Sequence, residues 1–321
     1  MIDPAVRWLN LPAGCFRALE WPGSEPFIVL LHGLTGVAEV WAPTVARLPD
    51  TPGRCIAIDQ RGHGQSAKPP TGYAVGAFVS DLMAALVAAG IERPHLVGHS
   101  MGARVAMVAA ARHPEQFRSV SIIDIGPEAW RANWVDSLAS FDRMPRQFAS
   151  LDEALGRLGR ARGGESLDAT LAASNDELRT IAAARFQLDD DSHCRWRADI
   201  EALKQAVKAQ RSRSYWREWR ALNLPALFIR GGTSAEVRPA IAERMRRMNP
   251  RVLVSRTGRC GAQYPPARAG EAGRGARWIL AISLRADDVV EGWYASNAIA
   301  GAGGRGLTRT GWRRRRWGGR E

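Results

Sequence analysis

The stretch Gly98-His99-Ser100-Met101-Gly102 constrains this chain more than any other. It follows an apolar run, Pro94-His95-Leu96-Val97, and it opens a helical stretch from Ala103 to Arg112 with Pro114 beyond. A serine between two glycines at a strand–turn–helix junction reads as a nucleophile elbow. The turn is so tight that the flanking residues must be nearly free of side chain, which accounts for Gly98 and Gly102. Ser100 then stands at the head of the helix, where the helix dipole is positive.

The surrounding pattern is α/β. Phe27–Leu31, Arg54–Asp59, Leu96–Val97, Val120–Asp124 and Ala226–Arg230 are short apolar runs that read as buried strands, with Val252–Val254 a sixth. Between them, Phe78, Leu82, Leu86 and Ala89 share one helical face, and Gly90 is a stop signal. Strands buried on both faces and alternating with helices predict a mostly parallel, doubly wound sheet. The alternation breaks from Gly126 to about Trp219. That stretch holds Trp130, Trp134, Phe141, Phe148, Phe186, Trp196, Trp216 and Trp219, with Leu151, Leu155 and Leu158 at helical spacing. It is expected to form a helical insertion over the sheet, with Trp130 or Trp134 near the pocket mouth. The expected units are a core of residues 1–125 and 220–255, a cap of 126–219, and an atypical tail of 256–321.

Composition narrows the partners. The net charge of +13 would suggest nucleic acid. However, residues 251–321 carry 14 arginines and no lysine against 5 acidic residues, which leaves a net +4 on residues 1–250. The basicity belongs to the tail and not to a patterned face, so no nucleic-acid partner is expected. The tail is Arg, Gly and Ala with scattered Trp, and Gly301–Glu321 has no periodicity; it is expected to be largely disordered. That composition is also what a shifted reading frame in a GC-rich gene produces. The four cysteines are scattered, which argues against a zinc site or a disulfide framework and fits a reducing compartment. No leader-like segment and no long apolar run is present, so a cytoplasmic chain without a membrane partner is expected.

Four motifs occur in order: Leu31-His32-Gly33-Leu34-Thr35-Gly36, Asp59-Gln60-Arg61-Gly62-His63-Gly64-Gln65-Ser66, Gly98-His99-Ser100-Met101-Gly102, and Ile229-Arg230-Gly231-Gly232. With these, residues 10–255 resemble the α/β-hydrolase superfamily, of the esterase and carbon–carbon hydrolase kind with a helical cap. The resemblance implies that Ser100 is the nucleophile. A glycine-flanked serine in an ordinary turn is the alternative, and the other three motifs argue against it. Serine in place of aspartate also separates the chain from the superfamily's epoxide hydrolases and dehalogenases. The oxyanion is expected to meet the backbone N–H groups of Met101 and Leu34.

His32 and Gly33 belong to the oxyanion-loop motif, with His32 a buried structural residue. His63 and His99 are expected to be structural too, and His95 and His113 to lie on the surface. Two carboxylates compete for the acid. The family usually places it after Arg230-Gly231-Gly232, where Ala235 stands and Glu236 comes one step late. The other family position is the end of the preceding strand, where Asp124 stands. Asp124 is preferred, although a loop-capping role is a real competitor. The base is expected in a glycine-rich loop after the last strand, yet no histidine follows His193. His193 reads as a surface residue of the insertion. The expected reaction is hydrolysis of a small ester, lactone or carbon–carbon-bonded ketone, with no metal or organic cofactor. The competing reading is a non-catalytic protein of the same fold that binds a small ligand.

Overall fold

The computed structural model describes residues 3–46, 48, 53–128, 138–139, 141–160, 176–190, 193–232, 234 and 236–256. Trp130, Trp134, Ala235 and residues 257–321 lie outside these, and with them the expectations for the pocket mouth and the tail.

Eight strands form one sheet: β1 (Ala5–Leu11), β2 (Gly14–Trp21), β3 (Ser24–Leu31), β4 (Gly53–Ile58), β5 (His95–His99), β6 (Ser119–Ile123), β10 (Ala226–Arg230) and β11 (Leu253–Arg256), in the order β1-β2-β4-β3-β5-β6-β10-β11. The pairs β1–β2 and β2–β4 are antiparallel. The pairs from β4 through β11 are parallel. The six predicted strands are all present. The β1–β2 hairpin was missed, although Leu9, Leu11, Phe16 and Ala18 alternate toward the core as a half-buried hairpin should.

The central strands are apolar because both their faces are covered. Along β3, Phe27, Val29 and Leu31 enter one core cluster, and Ile28 and Leu30 enter the other. On the first face lie α2 (Val75–Ala89) and α3 (Met101–Arg112), whose buried residues join that cluster. On the second lie the 3-10 turn Ala38–Trp41 and α1 (Ala42–Ala46), with Ala38 and Trp41 buried against the strands. Gly90 ends α2 in the left-handed conformation, φ 67°, which a side chain would resist.

The described part of the insertion holds α4 (Leu151–Arg160), α5 (Asp176–Ala183) and α6 (Ile200–Arg211), and the chain returns through α7 (Trp216–Ala221). It also holds three short strands, β7 (Gln147–Phe148), β8 (Phe186–Leu188) and β9 (Cys194–Trp196), in an antiparallel sheet of order β7-β9-β8. The reading of a helical insertion did not include these strands, each of which is only two or three residues long. Phe148, Phe186 and Trp196 hold them together, with ring centroids 4.4–6.2 Å apart. The last helix among the described residues, α8 (Pro239–Met248), is tied to α7 by Trp219, whose indole N–H donates to the Met245 carbonyl at 2.9 Å.

Candidate active site

Strand order places the site. From β3 the chain goes to β4 on one side, then crosses to β5 on the other. The crevice beyond the carboxyl ends of β3 and β5 is therefore a topological switch point, where open α/β sheets bind ligands. His32-Gly33-Leu34 leaves β3 there, and Ser100 leaves β5 there.

Ser100 has φ 48° and ψ −112°, a strained conformation for a residue with a side chain, and α3 begins at the next residue. Neighbours hold the turn. The Ser100 N–H donates to the Ile123 carbonyl at 2.8 Å, and its own carbonyl accepts from the Arg104 N–H at 3.1 Å. A Cβ on Gly98 would lie 2.4 Å from the Gly102 carbonyl oxygen, and one on Gly102 would lie 2.4 Å from that of Leu31. The two glycines thus let the head of α3 approach both its own strand and the end of β3. Met101, the first residue of α3, is at the helix terminus where backbone N–H groups have no intrahelical partner.

Leu34 lies within the turn that the Gly36 N–H closes on the Gly33 carbonyl at 3.0 Å, beside Thr35 at φ 63°. Its side chain packs against the main core. It also packs against the insertion's own cluster of Phe141, Met144, Ala198, Ile200, Leu203 and Val207. The insertion therefore covers the loop that follows β3. A second seam runs beside it, where the Asp199 N–H donates to the Gly62 carbonyl at 3.0 Å.

Asp124 follows β6 as Ser100 follows β5. His99 pairs with Ile123, so the two residues stand at adjacent strand ends. Asp124 is 1% exposed and has φ 54°. Its N–H donates to the Ile229 carbonyl at 2.8 Å, and its Oδ1 accepts the Gly231 N–H at 2.8 Å. Glu236 is half-buried and lies six residues beyond the end of β10.

The histidines divide by environment. His32 is buried, with Nε2 accepting the Gln60 N–H at 3.0 Å and Nδ1 2.8 Å from the Gly33 carbonyl. That pattern is a neutral ring protonated on Nδ1. Burial is the main cause that holds its pKa down to about 4, and the nearby charge of buried Arg185 adds to it. His63 and His99 are held to about 3, chiefly by burial. His95 corrects the sequence reading. It is 4% exposed and not a surface residue, its Nδ1 is 2.7 Å from Ser119 Oγ, and burial lowers its pKa to about 4. A histidine on a parallel strand is covered by helices, and the sequence reading set that rule aside at this position. His113 is half-buried beyond the end of α3. His193 is substantially exposed, and its N–H donates to Asp189 at 2.8 Å.

Asp59 anchors the second motif. It is fully buried and accepts from the Ala38 N–H at 2.7 Å, the Gln65 N–H at 3.0 Å and Arg17 at 3.2 Å. Among the described residues, no group of three or more His, Cys, Asp or Glu could hold a metal ion, and no helix is long and apolar enough to cross a membrane.

A mostly parallel sheet with a sharp serine turn at its switch point, and with an insertion after β6 that packs on Leu34, defines an α/β protein of the hydrolase type. The chain belongs to the alpha/beta hydrolase fold family, whose sequence model matches residues 26–262. It is 30% identical over 233 residues to a 2-(acetamidomethylene)succinate hydrolase of Mesorhizobium japonicum, covering 71% of this chain and 78% of that one. The crystal structure of an E-2-(acetamidomethylene)succinate hydrolase superposes with a TM-score of 0.68 at 26% identity, over 90% of this chain and 99% of that one. An alpha/beta hydrolase from Novosphingobium aromaticivorans shares the fold, with a TM-score of 0.68 at 22% identity, over 91% of this chain and 99% of that one.

Proposed function

We propose that the chain is built as a serine-nucleophile hydrolase of a small ester, lactone, amide or carbon–carbon-bonded ketone. The observation that carries this reading is Ser100, held at φ 48° between β5 and α3 at the switch point. Ser100 attacks a carbonyl, and the backbone N–H groups of Leu34 and Met101 receive the oxyanion. Asp124 is the acid that would orient a histidine base, with Glu236 as the alternative; no histidine after His193 stands in the sequence to take the Ser100 proton. Residues 126–219 form a cap that shapes the substrate pocket, and residues 1–125 and 220–255 form the core. The amide joins the substrate classes because the relative is named for an acetamido-bearing succinate. That compound is the first to assay, with liberation of acetate as the readout and Ser100→Ala as the control.

A second reading is favoured by one specific observation, that no histidine follows His193 in the sequence. On that reading the chain is a ligand-binding protein of the same fold, with the elbow intact and the base gone. Calorimetry with the same succinate separates the two. Binding without acetate release supports the second, and release abolished in Ser100→Ala supports the first.

A further inference from the structure

The insertion leaves the sheet at Gly126-Pro127 and returns at Tyr215, and both ends of that neck converge on one side chain. Arg104 is 4% exposed and lies in the first turn of α3, the helix that Ser100 heads. Its Nη1 donates to the Gln210 carbonyl at 2.8 Å, and its Nη2 to the Gly126 carbonyl at 3.3 Å. Its guanidinium carbon lies 5.2 Å from the centre of the Tyr215 ring, and Arg213 lies 4.8 Å from the same ring. The Tyr215 N–H donates to the Pro127 carbonyl at 2.6 Å, which closes the neck on itself.

Each contact has a physical reason. Gln210 is in the last turn of α6, so its carbonyl lacks an intrahelical partner and sits at the negative end of the helix dipole. A guanidinium answers both needs at once. Its planar fork presents several donors in fixed directions and leaves its face for an aromatic ring, which a lysine ammonium cannot do together. Gly126 follows the Asp124 turn by two residues, so the same fork also touches the exit from β6.

We infer that Arg104 is a positioning residue, a pin that holds the outgoing and returning segments of the insertion in register with the nucleophile helix. The inference rests on the reading of residues 126–219 as a cap. It does not depend on turnover, because Arg104 acts through Gln210, Gly126 and Tyr215 and not on a substrate.

Amide hydrogen exchange by mass spectrometry on the full chain tests it. Arg104→Met keeps an apolar stem and removes the donors and the charge. It should speed exchange at least about tenfold in peptides spanning residues 200–215, and leave those spanning 95–123 within about twofold. Arg104→Lys should give a smaller increase in the same place, because it restores the charge but not the fork. An equal rise in 95–123 would make Arg104 an ordinary core residue and overturn the inference. So would no rise in 200–215. Should Arg104→Met fail to fold, Arg104→Lys decides by the same comparison. Because exchange needs no substrate, a failed acetate-release assay and a failed pin are told apart.

Discussion

The carboxylate of Asp124 accepts the backbone N–H of Gly231 at 2.8 Å, across the ends of β6 and β10. The bond explains how Asp124 is held at a positive φ while 1% exposed. It also gives the residue a structural duty separate from any catalytic one. The loop-capping role weighed against Asp124 from sequence is thus present in the fold, and it is compatible with a second one.

The two duties separate by substitution. Asp124→Ala removes the acceptor and leaves the Gly231 N–H buried, a loss of about 1–3 kcal/mol in urea unfolding. Asp124→Asn keeps an acceptor oxygen and should cost less than half as much. Equal losses for Asp124→Ala and Asp124→Asn would mean that the charge, not the acceptor, stabilises the turn.

The elbow glycines should be intolerant of a single methyl. In Gly102→Ala the new Cβ must displace the Leu31 backbone, so a loss of about 2–4 kcal/mol or failure to fold is expected. Gly76, near the start of α2, supplies the contrast, since a Cβ there meets nothing within 4 Å. Gly76→Ala should be neutral or stabilising by up to about 1 kcal/mol. Urea midpoints of the two variants check both signs.

The four buried histidines should make the fold acid-labile. His32, His63, His95 and His99 have folded pKa values of about 3 to 4, below the ordinary 6.5. The unfolded chain therefore takes up protons first as pH falls. Stability from these groups is whole above about pH 6.5 and is lost progressively down to about pH 3–4. Each sets a slope of up to about 1.4 kcal/mol per pH unit. Urea unfolding at pH 7, 6, 5 and 4.5 should show the decline before most carboxylates titrate. His95→Gln should lower the slope by about a quarter, the other three histidines keeping theirs. A stability profile level from pH 7 to 5 would contradict the buried, neutral assignment.

The elements legible in the sequence were those in which local pattern and tertiary environment agree. Phe27–Leu31 and Ala226–Ile229 are uniformly apolar because both faces of a parallel strand are covered, and Gly98 and Gly102 are glycines because backbone lies where a Cβ would go. The β1–β2 hairpin and the strands β7, β8 and β9 were not legible. A strand of two or three residues has no period to detect, and β1 exposes Trp8 and Val6 at 52% each, which blurs its alternation. His95 was misplaced because a lone polar residue at a strand start reads as surface. Only the structure supplies its partner, Ser119, which lies 24 residues away on β6. Arg104 could not be assigned at all, since its partners Gly126 and Gln210 come from segments far along the chain.

On the proposed serine-nucleophile reading, the base decides how active the chain is. A serine hydroxyl at neutral pH needs a group to take its proton, and in this family that group is expected after the last strand. β11 ends at Arg256, and no histidine lies beyond it in the sequence. Of the six histidines, four are buried with depressed pKa values and so are poor proton acceptors at pH 7. In a serine protease dissected by mutation, loss of the histidine costs on the order of 10⁶ in kcat and leaves a residual ~10³–10⁴ over water from the oxyanion hole and binding. The chain should therefore turn over p-nitrophenyl acetate only weakly, and Ser100→Ala should lower that rate by less than about tenfold. A Gly-x-Gly-His loop grafted after β11 should raise kcat by about 10³ or more, and the gain should vanish in Ser100→Ala. In that grafted background Asp124→Asn should lower kcat by at least about tenfold, whereas Glu236→Gln should not. The reverse result would assign the acid to Glu236. Vigorous Ser100-dependent hydrolysis by the ungrafted chain would show that another group takes the proton. His193→Gln would be the first variant to make, because that side chain is exposed and lies in the insertion.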